Sequence, residues 1–346
     1  MDDKPAKTVF VLGAGASAAS DFHLPVMKGF MTQLDHHDYR VHNLCRYCDQ
    51  TFPFSYEPGH LHGEYAGLNL EEVFTQLELD LAGFASIRGW SVEELLAARG
   101  ELLAYVESAL DLERYARPDG CAMHKQLLSE TFKEDSLSSI LTLNYDMVVD
   151  VTMNAACRDQ KDKPLWRMYS LLGVLPGFFQ VSRPTSRTKP QKGLFLKLHG
   201  SVDWAFCPNP NCMHHENIGA SWLGLGNRPT KAGDICASCG TDFEPVIVPP
   251  TMKKSFEQFP KLGLIWRLAH EELKVADKVV FFGVSMAESD YYLHWLIRSS
   301  LVYRDPKPEV IVINPCNEAL DRTRKLTGIF PRHYESVEQY LDERDA

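Results

Sequence analysis

Five short apolar runs punctuate the chain, and each stops at a glycine or a polar residue. Thr8–Leu12 (TVFVL) runs into Gly13, Ser139–Leu143 (SILTL) into Asn144, and Leu194–Leu198 (LFLKL) into His199. Lys278–Phe282 (KVVFF) runs into Gly283 and Glu309–Ile313 (EVIVI) into Asn314. Runs this short, apolar throughout and ended by turn residues, predict strands buried on both faces. Between them the period changes. From about Asn69 to Ala116 the apolar positions fall three and four apart, as in LEEVFTQLELDLAGF and VEELLAARGELLAYVESALDLERYA, which predicts helices. Leu262–Val275 reads as a helix too, and a short helix and a C-terminal helix near Ser336–Arg344 finish the chain. Residues 30–65 are irregular, 180–193 read as a loop, and Pro245–Val248 as a short strand entering the Pro249-Pro250 turn. Buried strands separated by helices predict a parallel sheet in an α/β fold. Ligands of such sheets sit at the carboxyl ends of the strands. Five motifs occupy such ends here: GAGAS, NYD, HGS, GVS and NP.

Composition narrows the class. The 346 residues are 45% apolar and 24% charged, enough for one large globular domain or two. No run of about 18 apolar residues is present, so no membrane span is expected. The acidic start, MDDKPAKTVFVLGAG, lacks the apolar core of a secretion signal, and a cytoplasmic location is expected. With 36 basic and 46 acidic residues the net charge is −10, which disfavours direct nucleic-acid binding. The nine cysteines are odd in number and four cluster together, which fits metal ligation better than a disulfide framework.

Gly13-x-Gly15-x-x-Ala18 fits the dinucleotide-binding pattern, in which glycines let the backbone approach phosphate, but the same triad also builds plain tight turns. A nicotinamide dehydrogenase would need a second strand ending in an acid about 20 residues on. The sequence there, QLDHHDYRVHN, has no strand pattern. Cys207-x4-Cys212 and Cys236-x2-Cys239 form two thiolate pairs separated by 23 residues, a set that can close a structural tetrahedral zinc site. His214 and His215 are adjacent spare donors. Cys45-x2-Cys48, near His42, His60 and His62, is either half of a second metal site or two free cysteines in a helical insert. His199 is either a structural histidine or a general base, and its strand-end place beside Asn144 and Asp146 favours the second. Arg183, Arg187, Lys189 and Lys192 mark a basic loop, either solvated or a contact for phosphate or nucleic acid. Trp204 reads as core packing beneath the cysteine cluster.

The order of these motifs, GAGAS, TLNYD, KLHGS, two cysteine pairs, FFGVS and INP, resembles the sirtuin (SIR2) family from about Thr8 to Asn314, and most closely its divergent bacterial anti-phage defence type. The resemblance implies a Rossmann-like core at 8–29, 139–204 and 245–335, a mainly helical insert at 30–138 and a zinc ribbon at 205–244. It implies contacts to NAD from Gly13, Ala14, Gly15, Ser17, Gly283, Ser285 and Asn314. It implies catalysis by Asn144, His199 and Asp146, with Asn144 placing water or ribose, His199 as base and Asp146 orienting nicotinamide. It implies structural zinc on Cys207, Cys212, Cys236 and Cys239. Two segments depart from protein-deacylating members. His23–Met27 lacks their Asp-Phe-Arg, and the peptide-pairing segment is replaced by Val246-Ile247-Val248-Pro249-Pro250, where proline cannot donate to a ladder. The resemblance therefore implies an NAD hydrolase, releasing nicotinamide and ADP-ribose, used as a regulated defence effector. A homo-oligomer or a separate activating partner of ATPase or Argonaute type would supply the trigger. The alternatives are an NAD-dependent deacylase or ADP-ribosyltransferase, and a non-catalytic nucleotide-binding module.

Overall fold

The computed structural model describes residues 6–27, 29–35, 38–52, 65, 67–84, 89–110, 120–133, 136–156, 193–213, 215, 218–220, 233–251 and 259–345. The basic loop with Arg183, Arg187, Lys189 and Lys192 lies outside the described residues, as do His60, His62 and His214. The chain divides into two compact units. One comprises Met1–His23, Leu112–Ile247 and Phe256–Ala346, the other Leu24–Asp111 and Val248–Ser255.

The first unit is built on the expected parallel sheet. Strands β1 (Thr8–Leu12), β2 (Ser139–Thr142), β3 (Phe195–Lys197), β7 (Lys278–Phe282), β8 (Glu309–Ile313) and β9 (Arg332–Tyr334) lie in the order β3-β2-β1-β7-β8-β9. Every pairing in it is parallel. All five residues of β1 are buried, which is why the strand reads as an uninterrupted apolar run. The helices of this unit include α1 (Ala14–Ala18), α5 (Ala122–Leu127), α6 (Val148–Ala156), α7 (Pro260–Lys274), α8 (Tyr291–Leu301), α9 (Asn317–Thr327) and α10 (Val337–Asp345).

Three strands leave this plan. β4 (Gly200–Phe206) starts one residue after His199 and pairs antiparallel with β5 (Ile218–Ala220) and β6 (Glu244–Ile247). This small sheet carries the cysteine cluster, and Trp204 is buried within it. The Pro245–Val248 run thus belongs to the small sheet and not to the parallel one.

The second unit is helical, with α2 (His42–Thr51), α3 (Leu70–Leu79) and α4 (Val92–Ala109). Ser91 and Glu94 form a capping box at the start of α4. The Tyr47 hydroxyl donates to buried Asp80 at 2.7 Å. Cys45 and Cys48 lie on the buried face of α2. Burial pushes the Cys45 thiol up to about 12 and raises Cys48 as well, which disfavours the thiolate form of both. Among the described residues they join no metal-ligating cluster.

Candidate active site and metal centre

At the carboxyl edge of the large sheet each strand end is tied to the next. His199 donates from Nδ1 to the Leu143 carbonyl at 3.0 Å, joining the end of β3 to that of β2. Asn144 Nδ2 donates to the Gly13 carbonyl (2.9 Å) and to Ser17 Oγ (2.8 Å), joining β2 to β1. Gly15 N donates to Gly283 O at 3.0 Å, joining β1 to β7. Asn314 Nδ2 donates to Val284 O at 3.1 Å, joining β8 to β7. His333 Nε2 donates to Asn314 O at 2.8 Å, bringing in β9. Seven of the residues expected from sequence, Gly13, Gly15, Ser17, Asn144, His199, Gly283 and Asn314, thus lie along one row of strand ends.

The glycines in this row serve contact between loops. A Cβ on Gly13 would lie 2.6 Å from Gly283 O, and one on Gly15 would lie 2.8 Å from Gly283 Cα. Gly283 has φ +63°, and a Cβ there would meet Ala16 N at 2.1 Å. The amides of Gly13 and Gly15 donate across to the Phe282 and Gly283 carbonyls, and Ala16 N donates to Gly13 O within its own loop. The Asn314 side chain is held at both ends, since its Oδ1 also accepts from Cys316 N at 2.9 Å. Ser285 is exposed, and its carbonyl accepts from Arg322.

The TLNYD turn is gripped carbonyl by carbonyl from the corner between β3 and β4. Thr142 O accepts from Leu198 N (2.9 Å) and Tyr145 O from Val202 N (3.0 Å). Leu143 O accepts from His199, and Asp146 O from Lys197 Nζ at 2.6 Å. Trp266 on α7 steadies the corner, its indole N–H donating to Leu198 O at 2.8 Å while its ring lies 5.8 Å from that of His199. With Nδ1 as donor, Nε2 is the basic nitrogen of the neutral His199 ring.

Asp146 is buried, and burial raises its pKa against the opposing pull of Ser17, Lys197 and the Val148 amide. Oδ2 accepts from Ser17 Oγ (2.7 Å) and Oδ1 from Val148 N (2.9 Å). Its carboxylate thus supports Ser17 and, through Ser17, Asn144; both oxygens already have protein donors. Asn144 is half-buried, both its amide protons are engaged, and among the described residues Oδ1 has no hydrogen-bond partner. It is an acceptor fixed by two anchors beside a basic imidazole. Lys197 and Trp266 were not identified from sequence. A lysine inside the apolar run LFLKL was the visible signal for the first; Trp266 had none.

The four cysteines meet. Cys207 and Cys239 sulfurs lie 3.5 Å apart, Cys212 and Cys236 3.7 Å apart, and all four Sγ atoms fall within 4.8 Å of one another. Tetrahedral zinc with Zn–S near 2.3 Å separates its sulfurs by about 3.8 Å, so this set fits zinc. His215 donates from Nδ1 to Cys207 O at 2.9 Å and braces the first knuckle. A four-thiolate site has no open position, so the metal it holds is structural.

No protein-family model matches the chain, and no curated protein matches it. Among solved structures it is similar to a Sir2 homologue–NAD complex, at 14% identity over 98% of this chain and 88% of the other, TM-score 0.48. It is similar to an ADP-ribose complex of a Sir2 homologue mutant, at 16% identity over 99% of this chain and 94% of the other, TM-score 0.46. It is also similar to a Sir2 protein bound to a propionylated peptide, at 14% identity over 97% of this chain and 91% of the other, TM-score 0.43.

Proposed function

We propose that the chain cleaves the nicotinamide–ribose bond of NAD by hydrolysis, giving nicotinamide and ADP-ribose. The observation that carries this reading is the Asn144–His199 pair: a fixed acceptor and a basic nitrogen, from neighbouring strands, joined through the Leu143 carbonyl at the edge where α/β sheets bind ligands. Bond cleavage develops positive charge on the ribose. Asn144 Oδ1 holds water or a ribose hydroxyl at that centre, and His199 Nε2 takes the proton. Asp146 acts from behind, keeping Ser17 and Asn144 in place. Gly13, Ala14, Gly15, Ser17, Gly283, Ser285 and Asn314 form the edge along which the rest of the dinucleotide would lie. Zinc on the four cysteines would brace the small sheet and takes no part in the chemistry.

The motif order supports extending this reading to a defence effector whose turnover waits on an activating partner or on assembly. The test is NAD turnover with product identification for wild type, Asn144→Ala and His199→Ala, each alone and with an acetyl-lysine peptide. ADP-ribose formed without peptide and lost in both variants is the expected result. Turnover only with peptide would replace hydrolysis by deacylation. Failure of NAD to bind the wild type would overturn the site assignment.

A further inference from the structure

Lys197 is the least expected side chain in the core. It ends β3, the edge strand of the parallel sheet, and is nevertheless only 1% exposed, as is Asp150 on α6. Its ammonium makes an ion pair with Asp150 Oδ2 at 3.0 Å, donates to the Asp146 carbonyl at 2.6 Å and touches Met147 Sδ at 3.6 Å. Removing an ammonium from water costs several kcal/mol even after relaxation, and a single counter-ion returns that only with good geometry and further hydrogen bonds. An apolar pair would fill the same space more simply. What the apolar pair could not do is hold a backbone carbonyl of the NYD turn from the strand that carries His199, two residues further on.

We infer that Lys197 is a positioning residue, with Asp150 as its counter-charge: its ammonium fixes the Asn144–Asp146 turn against the β3 end, so that Asn144 and His199 keep their register. The proposal rests on the NAD-cleaving reading for its kinetic consequence but not for its structural one. Burial raises the pKa of the Asp146 carboxyl, and the Ser17 hydroxyl and, less, the Lys197 ammonium oppose that rise.

The test separates clamp from fold. Either single substitution, Lys197→Met or Asp150→Asn, breaks the buried pair and is expected to destabilise the chain. Lys197→Met with Asp150→Asn removes both charges together and is therefore compared with the wild type. The double variant is expected to show the wild-type circular dichroism and to melt closer to the wild type than either single variant does. Its kcat for NAD is expected to lie at least about tenfold below that of the wild type, with KM changed far less, because misplacement acts on the reacting geometry. Hydrogen exchange gives a readout independent of NAD. Peptides spanning 143–150 should lose protection in the double variant, while those of β1, β7 and β8 keep theirs. Equal protection of 143–150 in the double variant and the wild type would overturn the proposal. If the wild type neither binds nor cleaves NAD, the functional reading fails and the exchange comparison alone decides the clamp.

Discussion

The Ser17 hydroxyl donates to Asp146 Oδ2 at 2.7 Å while accepting from Asn144 Nδ2 at 2.8 Å, so one serine passes the orientation of a buried acid to a half-exposed amide. The two residues are 129 positions apart in the chain. Their contact is what makes GAGAS and NYD one site and not two strand ends that happen to be adjacent.

Ser17→Ala tests that relay. It removes a donor from buried Asp146 and an acceptor from Asn144. Leaving a buried carboxylate oxygen short of a partner costs about 1–3 kcal/mol. Asn144 keeps its bond to Gly13 O but can then swing about it. Turnover of NAD is expected to fall about 100-fold, since loss of alignment of this kind reaches that size. Steady-state kinetics and a denaturant titration on the same preparation check both halves. Unchanged turnover in a destabilised variant would show that the relay is structural only.

Much of this was legible. The five strand-end motifs and the two cysteine pairs fall where apolar periodicity and ligand spacing put them. β9 (Arg332–Tyr334) was not, because its three residues include Arg and His and it is recognised only by pairing with β8. β4 was hidden for another reason. It begins at Gly200, directly after a strand that had already ended, so the run from Leu194 to Phe206 holds two strands of two different sheets. The spacing of Gly13-x-Gly15-x-x-Ala18 also did not show that the amides of Gly13, Gly15 and Ala16 close on the carbonyls of Phe282, Gly283 and Gly13. Sequence spacing names the residue types at a strand end; it does not say which of their donors the fold itself will use.

His124 sets an acid limit on stability. It is fully buried on α5, with Nδ1 3.2 Å from Cys121 Sγ and its ring 5.9 Å from that of Phe282. Burial lowers its pKa from 6.5 to about 4, against a small opposing effect of Asp21. Between these two values the unfolded chain binds a proton that the native chain does not. Stability from this group is therefore complete above about pH 6.5 and is lost as pH falls toward about 4. From about pH 7.5 to about pH 5 the loss is about 2 kcal/mol. His124→Phe should lose less over that interval by this amount. Urea titrations of both proteins at the two pH values measure it. Equal losses would show that His124 charges freely in the native state.

Zinc content follows from the sulfurs. The four-cysteine cluster predicts one zinc per chain, retained on dialysis and removed by a strong chelator. Cys236→Ser should bring zinc well below one equivalent and lower the melting temperature. The parallel sheet, which contains none of the ligands, should keep its circular dichroism. Metal analysis and thermal melts decide this. Full zinc retention in Cys236→Ser would mean that another ligand substitutes for it.

Gly283→Ala and Gly100→Ala are the same chemical change with opposite expected signs. At Gly283 the backbone has φ +63°, where an L side chain costs about 1–2 kcal/mol. The added carbon also meets Ala16 N at 2.1 Å and Gly15 C at 2.4 Å, both backbone atoms that cannot turn aside. The loops after β1 and β7 must then part, breaking the Gly15 N to Gly283 O bond and shifting Ser17 away from Asp146. Stability should fall by more than about 2 kcal/mol, and NAD turnover should fall with it. At Gly100, an exposed position inside α4, a Cβ meets nothing within 4 Å. Alanine there should stabilise the helix by roughly 0.5–1 kcal/mol with turnover unchanged. Chemical denaturation and turnover for both variants, on one instrument, give the contrast. If Gly283→Ala were as well tolerated as Gly100→Ala, the loops would not be in the contact on which the whole strand-end row depends.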